Sequence, residues 1–440
     1  MNIKDFFKKI IITLLTLEAK AVIKKYKPRI VAVTGSVGKT SAKDAMYEVL
    51  AATTGARVRK SQKSFNSELG LPLTILGRPN AWNSPLGWIQ NLIDGLLLLL
   101  YRSPYPEWLV LEVGADRPGD IKSVAKWLPL DVAVITRLPE VPVHVEFFNS
   151  PEEVVEEKAA LIGALVPDGT LVLYADESRV SDMRKRAIGR HVITFGFNED
   201  ADVRAQNFKV LYEEGVVQAP VGIAASVSAG GSSVPVQVLG TAGAHTLLPA
   251  LAAAAMGRAL DKDLASCVQA LGRYMPPPGR MHLLPGSKDT TIIDDTYNSS
   301  PAAVAAALDT LVLVKPQGVA GRKIAALGDM LELGRHSVEE HRKIGTYAAA
   351  CVDVLITVGF RARDIAQGAL DAGLDEKNIL QYEDAEKAGE ELAALVAAGD
   401  IVLVKGSQSM RMEKIVKELM RNPESAEELL VRQDLEWTKR

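Results

Sequence analysis

The chain has 440 residues, 48% of them apolar and 24% charged, with a formal charge of −3. That length exceeds one ordinary core, so two or three domains are expected of a globular chain. The negative balance argues against bulk attraction to nucleic acid, and Cys267 and Cys351 have neither metal-ligand spacing nor a disulfide framework, which fits a reducing cytoplasm.

Residues 1–28 carry an apolar stretch, Phe6, Phe7, Ile10, Ile11, Ile12, Leu14, Leu15 and Leu17, flanked by Lys8, Lys9, Lys20, Lys24 and Lys25. No small-residue cleavage signal accompanies it, and Glu18 interrupts a run already too short to span a bilayer. An amphipathic helix is predicted, packed on the body of the protein or lying at a membrane surface, the former being the commoner fate. A second apolar run, Leu96–Leu100, stops before Pro104 and Pro106 and reads as a core helix.

From residue 29 to about 175 strand-like runs at 30–34, 108–113, 131–136 and 170–174 alternate with helical patterns such as 39–52 and 151–165. This predicts an α/β domain with a mostly parallel sheet. Residues 203–240 are valine-rich and punctuated by glycine, which suggests a small antiparallel addition, and alanine-rich 244–259 reads as a closing helix. The stiff PPPGR segment, 276–280, marks a boundary that ends the first domain at 279. Strands are then expected at 290–294, 323–327, 353–358 and 400–404, giving a second, Rossmann-like domain over 280–425. Residues 426–440 read as a polar tail.

The most informative stretch is VAVTGSVGKTS, residues 31–41, an apolar strand feeding a glycine loop that opens a helix. Backbone N–H groups around Gly35, Ser36 and Gly38 can face phosphate oxygens, Lys39 can neutralise them, the hydroxyl of Thr40 sits where a Mg²⁺ ligand is needed, and Ser41 completes the nucleotide-binding stretch. The spacing is G-x-x-G-K-T, two residues shorter than the common phosphate loop, and the bland reading is a strand–helix turn with a surface lysine. Glu112 ends the strand WLVLE, where ligands of a parallel sheet gather, and can reach a metal held by Thr40 or cap the next helix. His144 follows another strand end, either as a ligand or as a structural histidine. Lys158 has Val154, Val155, Leu161 and Ile162 at its i±3 and i±4 positions, so it lies on an apolar stripe. There it either snorkels to water or has a lowered pKa and serves chemically. In the second domain Arg280, Asp294, Asp295, Tyr297 and Asn298 are candidates to grip the phosphates and ribose of ATP. Lys405 and Ser407 are candidate substrate contacts, or residues that only shape their loop.

Taken in order, TGSVGKTS, FNSELGLPLTIL (65–76), EVGADRPGDI (112–121), HVEFFNSPEEVVEEK (144–158), GAHTLLPALAAAA (243–255), PPGRM (277–281), IDDTYNSSP (293–301), ALGDMLELG (326–334) and VKGSQSMRME (404–413) resemble the Mur ligase family. Within it they are most similar to the branch that adds D-alanyl-D-alanine to the peptidoglycan precursor (MurF type). The resemblance implies a cytoplasmic, ATP- and Mg²⁺-dependent amide ligase working through an acyl phosphate. It implies phosphate contact by Lys39, one Mg²⁺ at Thr40 and Glu112, and a second held or positioned by His144 and a carbamylated Lys158. It also implies nucleotide contacts from Arg280 and the 294–295 pair, and substrate contacts from Asn66 and Ser67, where the family pattern has two asparagines. Thr246, Pro249 and Tyr174 stand where the pattern has asparagine, and Asp116-Arg117 stands where it has Asn-His. The family carries a UDP-gripping domain before the phosphate loop, where about 28 residues stand here. A ligase for another acid–amine pair, of the polyglutamate type, and an inactive nucleotide-binding scaffold are the alternative expectations, with membrane contact through residues 1–25 a further one.

Overall fold

The computed structural model describes residues 3–62, 65–214, 219–318, 320–433 and 437, with side chains from residue 7 onward. Phe6 and most of the expected tail beyond Gln433 lie outside the described side chains.

The first lobe is built on β1 (Arg29–Thr34), β2 (Val58–Lys60), β3 (Trp108–Glu112), β4 (Leu130–Ile135), β5 (Leu165–Tyr174), β6 (His191–Gly196), β7 (Val203–Tyr212), β8 (Pro220–Ala229) and β9 (Ser232–Leu239). Their order in the sheet is β2-β3-β1-β4-β5-β6-β7-β8-β9. Pairing is parallel from β2 to β7 and antiparallel along β7-β8-β9, the valine-rich addition. Ile30–Val33 of β1 are fully buried, as a central parallel strand covered on both faces requires. From β1 the chain runs to β2 and β3 on one side and then crosses to β4 on the other. This opens a crevice at the carboxyl ends of β1 and β4. The register sets Val33 opposite both Glu112 and Val134, so those ends are level.

The second lobe is built on β10 (His282–Pro285), β11 (Thr291–Asp295), β12 (Lys323–Gly328), β13 (Val354–Val358), β14 (Ile379–Tyr382) and β15 (Ile401–Lys405). Their order is β10-β11-β15-β12-β13-β14, parallel except for the antiparallel β10-β11 pair. The mixed α/β class with two large, mostly parallel sheets agrees with the sequence-based expectation. Four strands, β2, β6, β10 and β14, are not among those expected: β2, β10 and β14 are only three or four residues long, whereas β6 is a six-residue strand between β5 and β7.

Six helices of the first lobe bear on function: α1 (Ile3–Tyr26), α2 (Lys39–Thr54), α3 (Gly70–Leu76), α4 (Pro85–Leu100), α5 (Asp120–Ala125) and α6 (Pro151–Ala159). The 151–165 helix expected from sequence is α6 followed by a 3₁₀ turn over Ala160–Ala164. Helix α1 packs on α3 and α4 and buries Leu15, Ala19, Val22 and Ile23. No helix among the described residues is long and apolar enough to cross a membrane.

Two expectations are corrected. Helix α4 is not a core helix: only Asn91 and Gly95 are fully buried, Trp88, Leu92, Leu98 and Leu99 pack half-buried on the lobe, and Leu86, Ile89, Ile93, Leu96, Leu97 and Leu100 are exposed. Nor do residues 426–432 form a polar tail. Ala426 and Leu430 join the core of the second lobe, and the guanidinium of Arg432 is buried against Glu413 at 2.6 Å. Arg432 also donates to the carbonyls of Thr296 (2.6 Å) and Tyr297 (3.1 Å), which fixes the turn after β11.

Candidate active site

Loops at the carboxyl ends of both sheets line one cavity of about 570 Å³. From the first lobe come the glycine loop, Asn66, Glu112, Asp116, Arg137, His144 and His245; from the second come Arg280, Asp295, Tyr297, Asn298, Glu332 and Lys405.

The glycine loop is shaped by β4. Ser36 N–H donates to the Arg137 carbonyl (2.8 Å), and the Thr136 hydroxyl donates to the Val37 carbonyl (2.8 Å). Gly35 has φ +146°, and a Cβ there would sit 2.0 Å from Thr136 Oγ1, so only glycine fits. Gly38, at φ +86°, is left-handed and turns the chain directly into α2. The α2 N-terminus thereby presents its free N–H groups to the cavity. Lys39 Nζ donates to the Gly35 carbonyl at 2.8 Å. Burial lowers the Lys39 pKa, against the pull of Glu112 and Asp116.

Glu112 is buried, with Oε1 accepting from Asn66 Nδ2 at 3.1 Å. Its Oε2 is buried with no hydrogen-bond partner among the described residues. An orphaned carboxylate oxygen inside a polar cavity is costly unless a cation completes it. Thr40 Oγ1 accepts from Arg280 Nη2 at 3.1 Å, a direct contact of the two lobes beside the loop. No cluster of three or more His, Cys, Asp or Glu with metal-holding geometry occurs among the described residues. One carboxylate and one hydroxyl beside a phosphate site is nevertheless the donor set Mg²⁺ uses, with nucleotide oxygens and water supplying the rest.

His144, at φ 69°, spans the lobes: its Nδ1 lies 2.6 Å from Glu332 Oε2, and its Nε2 lies 3.7 Å from Asp116 Oδ1. The adjoining His144 imidazole lowers the Glu332 pKa. Lys158 does not line the cavity. It is fully buried on α6, and burial, aided by the nearby Lys39 charge, lowers its pKa to about 7. The apolar-stripe reading of that lysine is therefore correct, with Val154, Leu161 and Ile162 buried around it in sequence. Helix α6 is set by Ser150, whose hydroxyl accepts from Glu153 N–H, by Pro151 in its first turn, and by Glu153 reaching back to Asn149 N–H. The neighbouring Glu157, missed from sequence, accepts from the N–H groups of Gly119, Ile121 and Lys122 (2.7–2.9 Å). It thus locks the 116–121 loop, and Asp116 with it, against α6.

In the second lobe Asp295 and Lys405 pair across β11 and β15 at 2.6 Å, and Lys405 also donates to the Asn298 carbonyl at 2.9 Å. Arg280 lies 4.1 Å from the Tyr297 ring, stacked as a cation on its face. Asp294 does not reach the cavity, because successive strand residues point to opposite faces. It is buried behind the strand, bonded to the Thr296 hydroxyl, and burial raises its pKa to about 6. Ser407 is also turned away: its hydroxyl accepts from Leu331 N–H (2.8 Å) and ties two loops together. Ser67 accepts from Gly70 N–H at the start of α3, again outside the cavity. Sequence reasoning had not placed Glu332, Arg137 or His245 in the site, although each lies in or beside a segment already singled out. His245 is held neutral, its pKa pushed down to about 4 by burial.

Against known proteins, residues 91–257 match the Mur ligase middle domain and residues 279–408 match the Mur ligase, glutamate ligase domain. The chain belongs to the Mur ligase family. Among curated relatives, UDP-N-acetylmuramoyl-tripeptide–D-alanyl-D-alanine ligase of Bacillus subtilis is 29% identical, covering 92% of this chain and 79% of its own length. The Escherichia coli protein of the same name is 27% identical, over 90% and 77%. Among solved structures, the MurF ligase of Thermotoga maritima in complex with ADP superimposes with a TM-score of 0.74 at 28% identity, covering 94% of this chain and 84% of that one. Membership in this family makes the chain an ATP-dependent ligase by class, with its phosphate loop and its second-lobe Arg280 on either side of one cavity.

Proposed function

We propose that this Mur ligase joins D-alanyl-D-alanine to UDP-N-acetylmuramoyl-tripeptide, driven by ATP. The observation that carries the reading is the cavity between the lobes, where a phosphate loop, an orphaned carboxylate oxygen and an arginine converge. It is supported by relatives bearing that activity in their names over most of this chain. In the reaction, the tripeptide carboxylate attacks the γ-phosphorus and ADP leaves. The amine of D-alanyl-D-alanine then adds to the acyl phosphate, losing a proton, and phosphate is expelled.

Lys39, released from the Gly35 carbonyl, and the α2 N-terminus neutralise the transferring phosphoryl group. Thr40 and Glu112 would hold Mg²⁺, which supplies charge neutralisation at the phosphate oxygens. Arg280 and Asn298 hold the nucleotide from the second lobe, so docking of that lobe excludes water from the reactive acyl phosphate. Lys405 orients Asp295. Lys158 acts as a positioning residue: with a pKa near 7 its neutral amine can add CO₂ and release a proton. The resulting carbamate places anionic oxygens behind Asp116 and His144. Asn66 and the 65–76 segment lie on the acceptor side, and contact with a membrane through residues 1–25 belongs to the same reading.

Phosphate release tests this. Turnover is expected with muramoyl tripeptide plus D-alanyl-D-alanine. Turnover only with a folate or glutamate acceptor, or none with any pair, would overturn it.

A further inference from the structure

Helices α1 and α4 form one unit. Gly95 lies so close to Glu18 that a Cβ there would meet its carboxylate at 2.1 Å. Lys25 Nζ donates to the carbonyls of Leu98 (2.8 Å), Leu99 (3.1 Å) and Tyr101 (2.6 Å), closing the α4 C-terminus with a cation. With their inner faces so used, both helices turn a second apolar stripe outward. On α1 it is Ile10, Leu14 and Leu17; on α4 it is Leu86, Ile89, Ile93, Leu96 and Leu100, each side chain 39–78% exposed. Both stripes keep i, i+3, i+4, i+7 spacing, so each is a continuous face. No charge breaks the α4 stripe, since Asp94 is turned aside and paired with Arg78. Trp82 and Tyr101, both largely exposed, stand at its two ends.

An exposed apolar area of this extent marks an interaction surface. Its surroundings say which kind. Six lysines against two acids make α1 cationic in a chain whose overall charge is −3. Lys8, Lys9, Lys20 and Lys24 are exposed along it. Two copies meeting through this face would set like charges against each other. Apolar side chains flanked by lysines, with aromatic residues at the rim, match the boundary between acyl chains and anionic headgroups. We propose that the α1–α4 face is a peripheral membrane-docking surface that seats on an anionic phospholipid bilayer, with both helices lying in the interfacial plane. The ligase would then work at the membrane surface.

Co-sedimentation of the full chain with lipid vesicles tests the docking without any substrate, so it stands or falls apart from the ligase reading. Vesicles of phosphatidylcholine containing phosphatidylglycerol should pellet the protein, and pure phosphatidylcholine should pellet much less. Ile93→Glu with Leu96→Glu should lower the bound fraction by roughly 10-fold or more, because charge is moved into the apolar layer. Leu86→Glu with Leu100→Glu, at the two most exposed positions, gives a second pair should the first misfold. Lys20→Glu with Lys24→Glu should erase the preference for anionic vesicles. Protein left in solution with both vesicle types, or pelleting unchanged in folded glutamate variants, would overturn the proposal. So would a dimer in solution that the same variants dissociate, since a second copy would then be the occupant.

Discussion

Lys158→Met should make the protein more stable and inactive at once. Lys158 is fully buried, and its pKa falls from 10.5 to about 7 in the folded chain. Between those values the unfolded chain holds a proton that the folded chain lacks, so stability rises with pH across the window from about 7 to 10.5. Near and below neutral pH the burial is a net burden. At roughly 1.4 kcal/mol per unit the full shift corresponds to about 4–5 kcal/mol, and relaxation around the ammonium reduces what a substitution recovers to about 2–4 kcal/mol. Methionine keeps the length and apolar packing while removing the charge. Tryptophan fluorescence in denaturant suits the measurement, because Trp82, Trp88, Trp108 and Trp127 all belong to the lobe that contains Lys158. The variant should gain stability at pH 7, and the gain should shrink toward pH 10. Ligase turnover should be lost, and added short carboxylates should restore part of it in Lys158→Ala, where space is left. A variant destabilised at pH 7, or one whose stability keeps the wild-type rise between pH 7 and 10, would refute the burial argument. Full turnover would refute the positioning role.

Gly35→Ala should weaken ATP binding by roughly 10-fold or more in calorimetric titration. The strain of a side chain at φ +146° and the 2.0 Å approach to Thr136 must be relieved by moving the loop. Glu112→Gln keeps the Asn66 contact but removes the charge. The Mg²⁺ concentration for half-maximal phosphate release should rise by roughly 10-fold or more, with the thermal melt little changed. Arg432→Met strips Glu413 of one of its two arginine partners in a buried setting. It should destabilise the second lobe by about 2–4 kcal/mol in thermal unfolding, and an unchanged melt would restore the reading of 426–440 as a polar tail.

What the sequence showed and what it hid divide along a physical line. The glycine loop was readable because its requirements are local: a strand, two glycines at fixed spacing, a lysine and a hydroxyl, and a helix start. The burial of Lys158 was readable because α-helical periodicity alone decides which neighbours share its face. The Asp294–Asp295 pair was readable only as a pair, since choosing the inward partner requires the strand's phase against the sheet. Residues whose role depends on a distant partner gave no local signal. Glu157 acts on a helix start some 36 residues earlier, Arg432 on a turn 135 residues earlier, and Glu332 meets His144 across the cleft. Arg432 was misplaced for a further reason: the polar composition around it masks two core side chains, Ala426 and Leu430.

Helix α4 was misread for a different reason, one that bears on the docking proposal. A run of leucines is taken as core because burial is the usual fate of apolar side chains in water. Periodicity in α4 lies instead in its exceptions. Asn91 and Gly95 are one turn apart, and they are its two fully buried residues, with Leu92, Leu98 and Leu99 half-buried beside them. Asn91 donates to the Pro79 carbonyl at 2.9 Å, and Gly95 admits Glu18. The two most deeply buried positions of the helix are thus small or polar, while six of its apolar side chains face outward. Burial in water gives no reason for that outward apolar face. An apolar solvent on the outer side does, because there the polar groups must find partners inside and the leucines need none. The lysines of α1 then limit the depth, holding the pair at the headgroups rather than within the bilayer. Substituting Asn91 by leucine would therefore remove a satisfied inner contact and weaken the packing of α4 on the lobe. Replacing Leu96 by asparagine would leave that packing intact and weaken only the vesicle binding. A melt lowered by the second change and not by the first would show that the leucine face, not the asparagine face, is the one held against protein.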